Sequence, residues 1–384
     1  MTNRTPQITR HWILACVLGL LPLAKPIMAA TDQELVAAIA ALQSVANEGQ
    51  HHAEAQQAWQ KLRQAEAVQL PVLLQGLKPK APLGNNWLRA AIDAVAEQTL
   101  AAGRPLPKEQ LEAFVRDRDR VPQARRLAYE WLIKADPSAE ERLIPGMVDD
   151  PSLELRRDAV ARLLKQAEQS ATDSKNDAAQ QTFQAALVAA RDQDQIEAAA
   201  AGLEKLGVKV DLPRHYGFIT DWQIIGPFDN RNKVGFDAIY APEKEIKPDG
   251  SYPGKEVQVS WKAYHTDDKF GLVDLNQGLG KNMGAVGYAY AEFYSDTDRP
   301  ADIRLGCINA NKVWFNGQPI IANHVYHAGT AIDQYVAQVE LKSGKNTILV
   351  KCLQNEQTES WAQDWRFQLR VCDAIGTAIL SQKE

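Results

Sequence analysis

Three aromatic side chains in the C-terminal part of the chain have the residue types and surroundings expected of a carbohydrate site. Trp361 lies in the polar, irregular stretch 354–364, Trp365 lies at its exit, and Tyr326 lies in another segment between regular elements. An exposed aromatic ring on a loop can stack on a sugar ring, since it buries a large area at little cost in conformational entropy. The sequence therefore predicts a ligand platform made of these three residues. Packing over the end of a sheet domain is the alternative.

Histidine and acidic residues elsewhere could bind a metal ion, but their number and spacing do not specify a metal site. His324 and His327 lie three residues apart and could share a metal, yet no third ligand is designated by the sequence. The acidic pairs at 267–268 and at Asp296 and Asp298 could bind calcium, whereas solvated acids in turns are the simpler interpretation. We predict no metal site.

The usual signatures of catalysis are missing from the sequence. It contains no nucleophile elbow, no phosphate-binding glycine loop and no zinc-type cysteine pairing. A pair of carboxylates does not by itself specify glycoside hydrolysis, because that reaction needs a defined separation across a sugar-sized cleft. We therefore expect a protein that is not an enzyme and has no cofactor.

The elements that must position the aromatic residues centre on 285–320. Two kinds of residue alternate there, the pattern of a strand with two unlike faces. Val286, Tyr288, Tyr290, Glu292 and Tyr294 alternate with the small residues Gly287, Ala289 and Ala291 and with Phe293. A second strand follows the polar turn at 295–301, and Asn316–Gly317 is a strong hairpin signal.

More short strands complete the C-terminal half. Alternating residues predict strands at 222–226, 257–261 and 366–371, with a short one near 271–275. Segments 331–341 and 346–353 are predicted to pair with each other across the turn at 343–345. Many short strands joined by glycine-containing turns predict an antiparallel β-sandwich or jelly roll.

A family resemblance follows from three of these segments. YAYAEFYSDTD, IRLGCINANKVWFNG and GKNTILVK resemble the jelly-roll, galactose-binding-like domains appended to glycoside hydrolase family 2 and to many bacterial exported proteins. The resemblance spans about 221–371 and implies a fold that serves either as a sugar binder or as a structural spacer. Family members typically carry an acidic Asp-Asp-Gly turn where this chain has Asn309-Ala310-Asn311.

The N-terminal half is helical in character. Thr31 and Glu34 form the signature of a capping box, and later helices repeat one another. The second helices of three predicted pairs superimpose as WLRAAIDAVAEQ, QARRLAYEWLIK and ELRRDAVARLLK, with an arginine in register at Arg89, Arg125 and Arg156. Such a period predicts an α-solenoid.

The third of these units, with Asp150-Pro151 in its turn, resembles the HEAT family, and that resemblance spans about 70–169. It implies an extended surface that could meet a protein partner. The repeated arginines are predicted to make structural contacts between units. The stretch 170–177 is predicted to be a loop, and two alanine-rich helices after it are predicted to cap the solenoid.

Composition and the N-terminus indicate the compartment. Residues 1–30 read as a signal peptide, with Arg4 and Arg10 before an apolar run and small residues at 28–30. A lipoprotein site at Cys16 fits less well, because the apolar run continues past it. The net charge of −5 and the lack of a basic patch argue against nucleic-acid binding. We expect an exported, periplasmic or secreted protein without a later membrane span.

Three cysteines remain after the predicted cleavage. Strand alternation places Cys307 and Cys352 on core-facing positions, and Cys372 on the opposite parity from its apolar neighbours. Cys307 and Cys352 are interpreted as small buried hydrophobes, with a single disulfide between them as the alternative.

Together these patterns predict three parts: a signal peptide at 1–30, a HEAT-like helical domain at 31–207 and a galactose-binding-like β-sandwich at 208–384. The function predicted from them is non-catalytic interaction, with the helical half binding a protein and the sandwich binding carbohydrate or docking. An accessory or degenerate carbohydrate-active component and a purely structural envelope protein are the alternatives.

Overall fold

The computed structural model describes residues 30–382. It combines an N-terminal helical region with a C-terminal antiparallel β-sheet domain. The predicted signal peptide lies outside the described residues, except for Ala30. Contacts divide the chain into two compact units, one ending at Asp136 and the other beginning at Pro137. The predicted domain boundary at 207/208 lies inside the second unit, just before its helices give way to strands.

The part of the first unit that the structure describes, residues 30–136, contains six α-helices. They are α1 (Asp32–Gln43), α2 (His52–Leu62), α3 (Leu70–Gln75), α4 (Pro82–Ala101), α5 (Lys108–Arg116) and α6 (Pro122–Ala135). Helices pack both on their neighbours in sequence and on more distant ones, since α1 contacts α2 and α4, and α6 contacts α5 and α3. Thr31 caps α1 as predicted, since its hydroxyl accepts from the Glu34 N–H while Glu34 accepts from the Thr31 N–H.

The second unit begins with five more helices. They are α7 (Ala139–Leu143), α8 (Leu153–Thr172), α9 (Asn176–Ala189), α10 (Gln193–Lys205) and α11 (Leu212–Tyr216). Most of the loop predicted at 170–177 is wrong, because α8 continues to Thr172 and α9 begins at Asn176. The polar residues there lie on exposed helix ends, where no apolar anchor is needed.

The arginines of the repeat pattern differ in role. Arg125 is buried and donates from Nε to the Val115 carbonyl at 2.8 Å, and Arg156 donates from Nε to the Asp150 carbonyl at 2.8 Å. Arg89 instead lies on the surface and pairs with Glu130. Two of the three therefore satisfy backbone carbonyls of the segment that precedes their own helix. The superhelical stacking of a HEAT-like solenoid stays a prediction.

Two antiparallel sheets form the β domain. The strands are β1 (Asp221–Asp229), β2 (Ser251–Pro253), β3 (Gln258–Ser260), β4 (Lys262–His265), β5 (Val273–Asp274), β6 (Ala285–Ser295), β7 (Arg299–Cys307), β8 (Ala310–Phe315), β9 (Gln318–Asn323), β10 (Tyr335–Leu341), β11 (Gly344–Gln354) and β12 (Arg366–Cys372). One sheet has the strand order β4-β1-β6-β11-β8-β9, and the other has the order β10-β7-β12-β5, while β2 and β3 form a separate ribbon.

The inner faces of the two sheets share one core, so the domain is a β-sandwich. Ile224, Ala289 and Val350 from the six-stranded sheet belong to the same apolar cluster as Leu305 and Leu369 from the four-stranded sheet. The predicted hairpin at Asn316–Gly317 is confirmed between β8 and β9, and both turn residues have positive φ.

One predicted pairing is wrong. Segments 331–341 and 346–353 do not pair with each other, because β10 pairs with β7 whereas β11 pairs with β6 and β8. The turn between them carries the chain from one sheet to the other. β11 is buried on both faces near the middle of its sheet, and β10, with alternating exposure, takes an edge.

The outer face of the six-stranded sheet carries a second apolar layer. Residues 230–260, which we call the covering segment, lie over it and contain α12 (Ala241–Lys244) and the β2–β3 ribbon. Tyr240 of this segment stacks on Phe228 of β1, with ring centroids 5.0 Å apart. A short helix α13 (Leu275–Leu279) follows β5. Within residues 30–382, no helix has both the length and the apolar character to cross a membrane.

Candidate functional site

Five rings lie next to one another at one end of the β-sandwich and form what we call the aromatic patch. His324 stacks flat on Phe236, with centroids 4.2 Å apart and planes at 4°, and meets Tyr326 at 5.8 Å. Tyr326 contacts His327 at 6.4 Å, and His327 meets Trp361 edge to face at 5.0 Å. The patch is therefore a continuous row of rings supplied by three separate segments.

The predicted site residues divide between the patch and the core. The Trp361 side chain is 61% exposed and the Tyr326 ring is half-buried. Trp365, predicted to share this surface, is instead fully buried and donates from Nε1 to the Cys352 carbonyl at 3.1 Å. The structure thus brings Trp361 and Tyr326 into one cluster and assigns Trp365 to the core between the sheets.

Buried amide side chains hold two of the rings in place. Asn230 donates from Nδ2 to the Tyr326 hydroxyl at 3.0 Å, and its own Oδ1 accepts from the Gly235 N–H. Asn355 has its Nδ2 2.9 Å from Nε2 of His327. Burial raises the pKa of Tyr326 above its ordinary value. These contacts fix the directions of the Tyr326 and His327 rings.

The backbone of the patch adopts unusual conformations. Asn232, Lys233 and His327 have φ values of 56°, 62° and 58°, in the left-handed region that non-glycine residues rarely occupy. The Asn232 N–H donates to Glu356 at 2.7 Å, which ties the covering segment to the stretch that carries Trp361. Backbone of this kind is concentrated at ligand sites in many proteins, where surrounding contacts hold it.

A buried ion pair anchors the covering segment beneath the patch. Lys351 of β11 is fully buried, and its Nζ donates to Glu243 Oε1 and to the Ala238 carbonyl, each at 2.8 Å. The Tyr288 hydroxyl also donates to Glu243. Burial lowers the pKa of Lys351, although the Glu243 carboxylate opposes that effect. The anchored carbonyl lies two residues from Phe236, the ring on which His324 stacks.

Several of these residues were not predicted. Phe236 comes from the long covering segment, and neither its spacing nor its neighbours in sequence indicate a site. His324 and His327 were considered only as metal ligands, and Asn355 was not singled out. The sequence signal that could have pointed to Asn355 is the polar character of 354–364. If an amide side chain from such a stretch is buried, it needs a hydrogen-bond partner nearby.

The acidic residues considered as calcium ligands have protein partners. Asp268 Oδ1 accepts from the backbone N–H groups of Phe270 and Leu272. Asp298 accepts from the Ser343 N–H at 2.8 Å and from the Lys342 ammonium at 3.2 Å. Both carboxylates thus close turns in the described structure.

Comparison with known proteins gives only local similarities. No protein-family model matches the chain, and no curated protein matches it. About 23% of the chain is similar to a β-glucosidase from Kluyveromyces marxianus, at 16% identity and a TM-score of 0.19, over 11% of that enzyme. A glycoside hydrolase family 31 α-xylosidase from Xanthomonas citri matches 24% of the chain at 11% identity and a TM-score of 0.17, over 12% of its own length.

A family 35 carbohydrate binding module from Clostridium thermocellum is also similar. It matches 23% of the chain at 16% identity and a TM-score of 0.17, and 72% of the module is covered. The chain therefore spans about a tenth of the length of the two glycosidases and most of the length of the module.

Proposed function

We propose that the β-sandwich binds carbohydrate through the aromatic patch. The observation that carries this proposal is the largely exposed Trp361 ring, held edge to face against His327 within a row of five rings. An exposed ring of this size offers an apolar face to the C–H groups of a sugar. The ring also continues a row of neighbouring rings, and contiguous exposed apolar surface marks interaction sites more often than single exposed residues do.

The polar groups around the patch suit a hydroxyl-rich ligand. Gln357, Glu356 and Lys233 lie beside the rings, and Lys233 Nζ sits 5.6 Å from the Tyr326 ring centroid. Sugar recognition needs a few placed donors and acceptors next to an apolar face. Because Asn230 and Asn355 already hold Tyr326 and His327, less ordering entropy is lost on binding.

We further propose that the β-sandwich binds its ligand without catalysing a reaction and that the protein is exported. The missing sequence motifs of hydrolytic enzymes support the first part of this proposal, and the signal-like residues 1–30 support the second. We also propose that the helical half binds a protein partner, as its repeats predict. In this proposal the helical region binds the protein partner, and the β-sandwich binds the carbohydrate.

The test is binding of the full chain to a panel of soluble glycans and insoluble polysaccharides, compared with Trp361→Ala. We expect the substitution to weaken binding about ten-fold or more, as loss of a stacked aromatic face implies. Val257→Ala is the matched control, because Val257 is also 61% exposed but is not one of the five rings. Equal binding by the wild type and Trp361→Ala, or no binding by the wild type, would refute the proposed site.

A further inference from the structure

Two buried cysteines face each other across the β-sandwich. Cys307 ends β7 in the four-stranded sheet, and Cys352 lies near the end of β11 in the six-stranded sheet. Both side chains are fully buried, and their Sγ atoms are 3.7 Å apart as free thiols. A disulfide needs about 2.05 Å, so closure requires a movement of less than about 2 Å, within the range of side-chain rotation.

The reduced thiols make weak contacts that a disulfide would replace. The Cys307 Sγ lies 3.3 Å from the Asn309 carbonyl, and the Cys352 Sγ lies 3.8 Å from Oδ1 of the same asparagine. Thiols are poor hydrogen-bond donors, so losing these contacts costs little. Asn309 keeps its stronger bonds, which Nδ2 donates to Gln354 Oε1 and to the Asp364 carbonyl.

The cysteine of β12, Cys372, is out of reach of Cys307. Phe367 is the residue of β12 directly opposite Cys307, and Cys372 lies five residues farther along that strand. At about 3.3 Å per residue this places the Cα atoms of Cys307 and Cys372 roughly 16 Å apart. Disulfides span Cα distances of about 4.4–6.8 Å, so a bridge to Cys372 is excluded without rearrangement of the sheet.

We infer that Cys307 and Cys352 form a disulfide between the two sheets when the chain folds with a disulfide-bonded oxidant, such as oxidised glutathione. One cysteine thiolate attacks the oxidant's S–S bond, forms a mixed disulfide and releases one thiol. The second thiolate then attacks the protein sulfur of that mixed disulfide and displaces the other thiol. Two protein S–H groups are thereby oxidised to one S–S bond, and the oxidant is reduced to two thiols.

The reaction belongs to folding rather than to the finished domain. Both sulfurs are buried, so an oxidant reaches them only before the sheets close or when the domain opens. Burial also raises the pKa of Cys352, which disfavours its thiolate in the folded state. Once formed, the disulfide would be shielded from reductants in the same way.

The disulfide would close a loop that contains three of the five rings of the aromatic patch. Residues 308–351 would form the closed loop, and they contain β8, β9 and the stretch that supplies His324, Tyr326 and His327. Cross-linking the ends of that segment limits how far it can unfold, and the stabilisation grows with loop length. The disulfide does not depend on what the aromatic patch binds.

The test is to unfold and reduce the full chain, refold it with a mixture of reduced and oxidised glutathione, and map its thiols by mass spectrometry. We expect a linked peptide pair containing Cys307 and Cys352, with the pair lighter by two hydrogen atoms. After a second unfolding, Cys372, and Cys16 wherever residues 1–30 are retained, should be alkylated while Cys307 and Cys352 are not. The oxidised protein should melt roughly 5–10 °C above the reduced one.

Two variants serve as controls. Cys372→Ala should form the same disulfide, because that thiol takes no part in it. Cys307→Ser should leave Cys352 open to alkylation after unfolding. Alkylation of both Cys307 and Cys352 in the refolded wild type, or a linked pair that includes Cys372, would overturn the inference.

Discussion

Asn355 donates a hydrogen bond from Nδ2 to Nε2 of His327, and this contact determines which ring nitrogen of the histidine carries the proton. The amide direction follows from its other contacts, since Oδ1 accepts from the Gln357 N–H and Nδ2 also donates to Gln357 Oε1. Nε2 must therefore act as an acceptor, which leaves the proton on Nδ1. His327 then offers one donor, Nδ1–H, at the aromatic patch.

We predict that the uncharged imidazole ring of His327 is the Nδ1–H tautomer. Long-range proton–nitrogen NMR spectra of the labelled full chain would show this directly, because protonated and bare ring nitrogens differ strongly in shift. In Asn355→Leu no amide donates to Nε2, so both tautomers of His327 should be populated. A proton on Nε2 in the wild type would contradict donation from Asn355 to that nitrogen.

The two tryptophans of the C-terminal stretch should respond oppositely to truncation. Trp365→Ala removes a fully buried ring and its hydrogen bond to the Cys352 carbonyl, so we expect a loss of about 3–5 kcal/mol in unfolding free energy. Trp361→Ala removes an exposed ring and should change stability by no more than about 0.5 kcal/mol. Urea unfolding measures both. Similar losses for the two variants would mean that Trp361 also supports the fold.

The ion pair beneath the covering segment should show strong coupling. Lys351→Met leaves Glu243 and the Tyr288 hydroxyl without their buried cation, and we expect it to cost about 3–5 kcal/mol. The double variant Lys351→Met with Glu243→Leu should recover much of that loss, because apolar pairs often replace buried ion pairs well. Urea unfolding of both single variants and the double variant gives the coupling energy. Additive losses would argue against a direct interaction.

Asp333 should make stability fall at low pH. Burial acts to raise its pKa, but hydrogen bonds from Arg370 at 2.6 Å and Arg304 at 2.8 Å prevail, and its pKa lies below the ordinary value of 3.8. The unfolded carboxylate therefore takes up its proton first as the pH falls. Its contribution is complete above the unfolded pKa and is lost on acidification through the folded pKa.

This contribution can be isolated with Asp333→Asn. We expect the variant to be less stable than the wild type near neutral pH, and the difference in unfolding free energy to shrink as the pH falls from about 5 to about 3. Denaturant unfolding across this range provides the measurement. A difference that stays constant with pH would show that the carboxylate's charge contributes nothing to stability.

Local patterns in the sequence were enough to predict most of the strands. The alternation at 285–295 and the turn residues Asn316 and Gly317 produced β6 and the β8–β9 hairpin as predicted, because pleat and turn geometry depend on neighbouring residues. The core positions of Cys307 and Cys352 followed from the same parity. Capping of α1 by Thr31 is likewise a contact across a single helical turn.

Tertiary structure decided what neighbouring residues cannot specify. A short turn predicted that β10 and β11 would pair, but burial of β11 between β6 and β8 places them in different sheets. Trp361 and Trp365 share one polar stretch, yet Trp365 immediately precedes β12 and turns into the core. The patch itself joins Phe236, His324 and Trp361, which are far apart in sequence. Only packing of the whole sandwich brings such residues together, because their proximity depends on sheet order and not on any local periodicity.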